Sequence, residues 1–306
     1  MNAAAALRAP RFARTLGAAL VTVAVVTTAC SSGDGSTDPS GGGRVEIVAS
    51  FFPVAHAAER VGGDLVEVAD LTPVGAEPHD LELTPADVDD VLDADLVIVL
   101  GGGFQPAVED AAEQREGPTL VLADIVDVDV EADPHVWLDP LAYEQVAGAI
   151  RDALIDLDAS AASRYRALAE EFAAEIRAVD EELATALASC ERDLVVTAHD
   201  AFGRLTARYG LRVEPIAGIS PEQEPDPSRL AELADLVERE GVTTVFTETL
   251  VAADVAETLA REAGVGTAVL DPLEGLSDER KADGASWASV MRENLAALSR
   301  ALGCAS

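Results

Sequence analysis

The sequence is poor in positive charge. Its 306 residues include 21 Lys and Arg against 56 Asp and Glu, which gives a formal net charge of −35 at pH 7. Because so acidic a chain repels phosphate, binding to nucleic acid is excluded. A chain with this negative charge attracts cations, although a solvated acidic surface is enough to explain most of the charge.

The N-terminal apolar stretch is too short to span a bilayer. It covers residues 16–26 and follows three arginines, Arg8, Arg11 and Arg14, with no acidic residue among them. This arrangement is typical of an export signal. We therefore expect residues 1–29 to be a signal peptide.

The end of this signal resembles the lipobox at which bacterial lipoproteins are cleaved and acylated on a cysteine. Small residues precede Cys30, although Thr27 stands where that motif usually has leucine. A lipid on Cys30 would anchor the chain to the membrane, and the Gly- and Ser-rich residues 30–43 would form a flexible tether. The alternative is an ordinary secreted protein with an incidental cysteine.

Cysteine is scarce, with three in the whole chain. Apart from Cys30 there are Cys190 and Cys304, and an even pair in an exported chain favours a disulfide. Such a bond would tie the end of a long helix to the C-terminus. The alternative, two thiolates on a metal ion, is weaker because neither residue has a neighbouring His or Cys at ligand spacing.

The length exceeds the usual size of a single hydrophobic core, so two domains are expected. Short apolar strands alternate with helices in both halves, which predicts α/β lobes with mostly parallel sheets. The predicted strands are residues 45–49, 65–71, 96–100, 194–197, 212–216, 243–247 and 267–270. The middle is helical by its three- and four-residue apolar spacing. We expect a first lobe over 44–158, a linking helix over 159–190 and a second lobe over 191–306.

Only four histidines occur, so their positions are informative. His79 and His135 lie in predicted loops, and His199 follows a predicted strand directly. Asp271 follows another strand in the same way. Open α/β sheets bind ligands beyond the carboxyl ends of their strands. Three imidazoles and one carboxylate form a closed tetrahedral set that suits Zn²⁺.

His56 differs from the other three histidines. It lies within a predicted helix over residues 53–61, among alanines and valines. We interpret it as a structural residue and not as a ligand.

Residues 45–304 resemble the zinc and manganese solute-binding proteins of ABC importers. The matching motifs are Ser50-Phe51-Phe52-Pro53, Glu77-Pro78-His79, Asp133-Pro134-His135-Val136-Trp137, His199-Asp200-Ala201-Phe202-Gly203 and Leu270-Asp271-Pro272-Leu273. The resemblance implies two lobes joined by one rigid helix, with a metal ion in the cleft between them. It also implies delivery of that ion to a membrane permease with its ATPase.

The resemblance places the metal ligands at His79 and His135 in the first lobe and at His199 and Asp271 in the second. Manganese-binding relatives commonly carry glutamate at the position of His199, and imidazole in its place favours zinc. Many zinc-specific relatives insert a histidine-rich loop between the first two ligands, which this chain lacks. We expect a monomer, lipid-anchored to the outer face of the plasma membrane.

Three alternatives stay open. A member of the same family could bind manganese or iron instead. A zinc hydrolase would need an open coordination position and a general base, for which Glu82 or Glu248 could be considered. Against it, the chain has no His-Glu-x-x-His helix, and Asp271 would close the site. A metal-binding adhesin is the third alternative.

Overall fold

The computed structural model describes residues 43–126, 129, 132–221, 223 and 225–305. The predicted signal peptide, Cys30 and nearly all of the predicted tether lie outside the described residues. Within the described ranges, no helix has both the length and the apolar character needed to cross a bilayer.

The first lobe is built on a four-stranded parallel sheet with the strand order β2-β1-β3-β4. Its strands are β1 (Val45–Ala49), β2 (Val66–Asp70), β3 (Leu96–Val99) and β4 (Thr119–Val121). Its helices are α1 (Phe52–Gly62), α2 (Pro85–Asp93) and α3 (Pro106–Ala112). At the start of α2, Thr84 forms a capping box with Asp87, and Pro85 occupies the first helical position.

Two consecutive helices follow the first sheet. They are α4 (Pro140–Leu157) and α5 (Ala162–Leu187), separated by a 3₁₀ turn at Ala159–Ala161. The 26 residues of α5 give it a length of about 39 Å at 1.5 Å per residue. It packs against α1 on one side of the molecule and against the C-terminal helix on the other. The predicted long helix between the lobes is therefore present.

The second lobe repeats the pattern of the first, with the strand order β6-β5-β7-β8 and all strands parallel. Its strands are β5 (Leu194–Thr197), β6 (Arg212–Pro215), β7 (Thr244–Thr247) and β8 (Gly266–Val269). Its helices are α6 (Gly203–Arg208), α7 (Pro227–Glu240), α8 (Asp254–Ala263), α9 (Asp278–Ala282) and α10 (Trp287–Leu302). The predicted fold class, two parallel-sheet α/β lobes with a long helix between them, is confirmed.

The central strands β3 and β5 are buried on both faces of their sheets, which is why they are apolar at successive positions. In β3, Leu96 and Ile98 face the core shared with α4 and α5, whereas Val97 and Val99 face the core under α2 and α3. In β5, Val195 faces the shared core and its two neighbours face α7 and α8. One continuous core therefore runs along α5 through both lobes.

The predicted disulfide between Cys190 and Cys304 is present, and it closes a sequence separation of 114 residues. Cys190 follows the end of α5, and Cys304 follows α10. The bond therefore ties the long helix to the C-terminal end of the second lobe.

His56 occupies the structural position that its sequence context predicts. It lies on α1, is 9% exposed, and contacts the rings of Phe52 and Phe172. Burial, together with the neighbouring charge of Arg60, lowers the pKa of His56 from 6.5 to about 4. The side chain is therefore neutral in the folded protein at every pH above that value.

This lowered pKa makes the metal-free protein sensitive to acid. Between pH 7 and 5 the unfolded chain takes up a proton on His56 that the folded protein does not, so stability falls by about 2 kcal/mol as the pH is lowered through this window. Urea unfolding of wild type and His56→Gln at both pH values measures this loss. We expect the variant to lose about 2 kcal/mol less, and equal losses would contradict the assignment.

Candidate metal centre

His79 lies on the loop between β2 and α2. Its backbone N–H donates to Glu77 Oε2 at 3.0 Å, and its ring packs edge-on against Phe104 with centroids 4.5 Å apart. These two contacts fix the loop and the plane of the ring. The His79 side chain is 9% exposed, which makes it the most accessible member of the site.

His135 is completely buried at the start of the 3₁₀ turn Val136–Leu138. The Asp133 carboxylate accepts hydrogen bonds from the His135 backbone N–H at 3.0 Å and from its Nδ1–H at 2.9 Å. A proton held on Nδ1 leaves the lone pair of Nε2 free for a metal ion. Asp133 therefore sets both the orientation and the tautomer of this imidazole.

His199 follows β5 and is also completely buried. Its Nδ1–H donates to Glu248 Oε2 at 2.6 Å, and its backbone N–H donates to Glu248 Oε1 at 3.0 Å. Glu248 follows β7, the strand next to β5, so the pair lies at the point where the strand order of the second sheet reverses. Ligand sites of open α/β sheets form at this point.

Glu274 completes the group. Its Oε1 lies 3.2 Å from His79 Nε2, 3.1 Å from His135 Nε2 and 3.3 Å from His199 Nε2. The side chain is 2% exposed. Among the described residues, these four form the one group of His, Cys, Asp or Glu ligand atoms that could hold a metal ion.

The distances from the Glu274 oxygen to the three imidazole nitrogens match the edges of a tetrahedral zinc site, and all four ligand atoms lie within 4.8 Å of one another. Zn²⁺ binds imidazole nitrogen and carboxylate oxygen at about 2.0–2.2 Å. The edge of a tetrahedron is about 1.6 times the distance from its centre to a corner, which gives ligand separations of roughly 3.3 Å for such bonds. The three nitrogen–oxygen separations of 3.1–3.3 Å agree with this value. A tetrahedral ion held by all four residues would have no coordination position left for a catalytic water.

Asp271, predicted as the fourth ligand, lies outside the group. Its Oδ1 accepts a hydrogen bond from the Leu273 N–H at 2.8 Å, and its Oδ2 faces Arg280 at 3.6 Å. Asn294 holds the Asp271 backbone by two hydrogen bonds. The structure therefore brings together the three predicted histidines, but it places Glu274 and not Asp271 beside them.

The reason lies in the turn after β8. A carboxylate directly after a strand bonds readily to the backbone two residues on, and Asp271 does this. The turn also holds Leu273 at a φ of 59°, the one positive φ of a non-glycine residue in the described chain. This conformation turns the next residue, Glu274, towards the histidines. Sequence reasoning missed Glu274 because strand ends alone do not show which residue of a turn faces the cleft.

The loop that carries Glu274 is fastened to the first lobe. The indole N–H of Trp137 donates to the Pro272 carbonyl at 2.6 Å, and the Trp287 indole N–H donates to the Trp137 carbonyl at 2.8 Å. Pro272 lies two residues before Glu274, and Trp137 lies two residues after His135. Both tryptophans are buried. The contact places Glu274 of the second lobe against His135 of the first.

The charges of the site depend on one another. Burial by itself would lower the pKa of His199, but hydrogen bonds to Glu248 and Glu274 outweigh it and raise the pKa to about 10. The pKa of His135 is raised in the same way, against the effect of burial, by Asp133 and Glu274. Burial would raise the pKa of Glu274, but the three histidines hold it well below its usual value. Without a metal ion, protons on the imidazoles of His135 and His199 therefore supply positive charge opposite Glu274.

Comparison with known proteins identifies the family. Residues 47–301 match the family model described as ZnuA, zinc-uptake complex component A, periplasmic. The chain belongs to this family. The resemblance to zinc and manganese solute-binding proteins seen in the sequence is confirmed.

Individual relatives are also named for zinc uptake or were crystallised with bound zinc. The high-affinity zinc uptake system protein ZnuA of Bacillus subtilis is 31% identical over 89% of this chain and 92% of its own length. The zinc-bound crystal structure of the ZnuA-like domain of Streptococcus pneumoniae AdcA superposes with a TM-score of 0.75, at 32% identity over 85% of this chain and 99% of that domain. Full-length AdcA proteins are longer, and this chain spans 56% of the one from Streptococcus pyogenes.

A further structural relative is the laminin-binding protein Lmb of Streptococcus agalactiae. It superposes with a TM-score of 0.77 at 30% identity and covers 84% of this chain and 99% of its own. It is described as a bifunctional protein with adhesin and metal-transporting activity. A protein with a further role as an adhesin therefore shares this fold.

Proposed function

We propose that this protein captures Zn²⁺ outside the cytoplasm and delivers it to the permease of an ABC-type importer, with His79, His135, His199 and Glu274 as the ligands. The observation that carries the proposal is the buried group of three histidine Nε2 atoms, each within 3.3 Å of one Glu274 carboxylate oxygen. Membership in a family of zinc-uptake components supports it. The relatives named for zinc binding support the choice of cargo.

The chemistry of the ligands favours zinc over manganese. Imidazole is a borderline ligand that suits Zn²⁺, whereas Mn²⁺ prefers carboxylate, carbonyl and water oxygens. Three nitrogens and one oxygen in a tetrahedral arrangement also leave no room for the octahedral set that manganese favours. Iron or manganese as the physiological cargo is therefore the less favoured alternative.

The proposal includes the parts of the chain outside the described residues. Export by residues 1–29 and lipidation of Cys30 would hold the protein at the outer face of the plasma membrane, with residues 30–43 as a tether. Relatives called zinc-binding lipoproteins support this arrangement. A monomer with lobes at 44–158 and 191–306 and a linking helix at 159–190 would meet the permease from that position.

Zinc titration of the metal-free protein tests the ligand set. We expect one ion bound with submicromolar affinity, and severe weakening in His79→Ala and in His135→Ala because each variant removes one corner of the tetrahedron. His56→Gln is the matched control, since it removes the one histidine outside the site. Unchanged affinity in both ligand variants would refute the site.

Zinc should also stabilise the folded protein. At a free zinc concentration of about 1,000 times Kd, an ion that binds only the folded state contributes about 4 kcal/mol, which corresponds to a rise in Tm of roughly 10 °C. Calorimetry with and without zinc measures the shift. An unchanged Tm at saturating zinc would contradict a site between the lobes.

Adhesion is a second candidate function, favoured by the structural likeness to Lmb. Binding of the purified protein to immobilised laminin decides it, with zinc-free and zinc-loaded samples compared. Catalysis is not proposed, because four protein ligands close the metal site.

A further inference from the structure

Arg204 crosses from the second lobe to the loop that carries a first-lobe ligand. It lies on α6, and its Nε donates to the Asp133 carbonyl at 3.0 Å. Its Nη2 donates to the carbonyls of Asp129, at 2.5 Å, and of Asp133. The side chain is 14% exposed, so the guanidinium is held within the interface between the lobes.

The same guanidinium lies beside the Asp133 carboxylate. Arg204 Nε is 3.6 Å from Asp133 Oδ2, while Asp133 Oδ1 bonds to the backbone and ring of His135. Gly203 makes room for this approach, because a Cβ at that position would lie 3.1 Å from Asp133 Oδ2. Asp133 is thus enclosed between a metal ligand and the first turn of α6.

The two buried imidazoles differ in how they are supported. The partner of His199 is Glu248, which belongs to the same lobe and the same sheet. The partner of His135 is Asp133, whose loop is held by Arg204 of the opposite lobe. The orientation of His135 therefore depends on the two lobes being together, and that of His199 does not.

We propose that Arg204 is a positioning residue for zinc binding, which acts across the interface by holding Asp133 in the place from which it orients His135. When the lobes separate, Arg204 leaves Asp133, the His135 ring loses its fixed direction, and the site releases zinc faster. This inference rests on the proposed function, since it assumes that His135 is a zinc ligand.

The test compares Arg204→Gln with Arg212→Gln. Arg212 lies in the same lobe but pairs at the surface with Asp193 and Glu240, so its variant makes the same change in charge away from the site. Zinc dissociation is followed by stopped-flow mixing with a chelator, and zinc affinity by competition. Removal of groups that orient a metal ligand typically weakens binding 10–100-fold. We expect Arg204→Gln to release zinc at least about 10-fold faster, with Arg212→Gln unchanged.

A spectroscopic measurement separates positioning from general support of the fold. Co²⁺ in place of zinc gives visible absorption that reports the coordination geometry, and we expect Arg204→Gln to alter this band while the Tm of the metal-free protein stays close to that of Arg212→Gln. Arg204→Lys is the second variant. Lysine keeps the charge but lacks the planar fork that reaches two carbonyls, so an intermediate rate is expected.

The outcomes are distinct. If the wild type binds zinc tightly and Arg204→Gln matches Arg212→Gln in release rate and cobalt spectrum, the positioning role is refuted and the proposed function stands. If the wild type binds no zinc, the proposed function fails and this inference fails with it. If Arg204→Gln does not fold, Arg204→Lys decides: release at the wild-type rate refutes the role, and faster release with an altered cobalt band supports it.

Discussion

Replacing Glu274 by glutamine is expected to weaken zinc binding at least about 100-fold. Removal of a group that only orients a metal ligand already weakens metal binding 10–100-fold, and Glu274 is proposed to be a ligand itself. The amide keeps the size of the side chain but removes the negative charge that lies within 3.3 Å of all three histidine Nε2 atoms. Competition titration against a zinc chelator at pH 7.5 measures the change.

Asp271→Asn is the matched control for this experiment. It makes the same change from carboxylate to amide three residues earlier, and asparagine retains the oxygen that accepts the Leu273 N–H. We expect its zinc affinity to stay within about threefold of wild type, since the Asp271 side chain lies outside the group of four ligand atoms. The reverse order of effects would show that the fourth ligand is Asp271, as the sequence resemblance implied.

Acid is expected to weaken zinc binding steeply. In the metal-free protein the pKa of His199 is raised to about 10 and that of His135 is raised as well. Zinc binds neutral imidazole, so it must displace these protons. Displacement of one to two protons lowers the affinity by roughly 10- to 100-fold for each pH unit, or roughly 30- to 1,000-fold between pH 7.5 and 6.0.

The sign of this dependence follows from the raised pKa values. A histidine with a raised folded-state pKa stabilises the metal-free fold fully below the unfolded value of about 6.5, and this contribution is lost as the pH rises through the folded value. Protons therefore favour the metal-free state at the pH values where zinc binding is measured. Calorimetry in buffers of different ionisation enthalpy counts the protons released, and release of none would contradict the charges assigned to the site.

The fold was predictable because its signals are local. Continuous apolar stretches such as residues 96–100 and 194–197 mark buried parallel strands, and both are present within one residue. Two elements of the first lobe, β4 and α3, were not predicted. β4 has three residues, too few for a periodic pattern to be distinguished from a loop.

The site was predictable in part. The three histidines were identified because they are rare and because they lie in loops or at a strand end. Glu274 was missed because its position depends on the left-handed conformation of Leu273 and on the bond from Leu273 N–H to Asp271. Local spacing carries no sign of such a turn.

The residues that hold the ligand histidines in place could not be predicted from the sequence. Glu248 was considered only as a general base, because its bond to His199 joins residues 49 positions apart. Arg204 reaches across 71 positions to Asp133. The first pair arises from the pairing of β5 with β7 in one sheet, and the second from the packing of one lobe on the other. The pattern of a single chain segment determines neither.

The most direct test of the ligand set is X-ray diffraction from crystals of the zinc-loaded protein, collected on both sides of the zinc absorption edge. The account predicts one anomalous peak about 2.0–2.2 Å from His79 Nε2, His135 Nε2, His199 Nε2 and a Glu274 carboxylate oxygen. A peak that lies beside Asp271 instead of Glu274, or away from the three histidines, would contradict it.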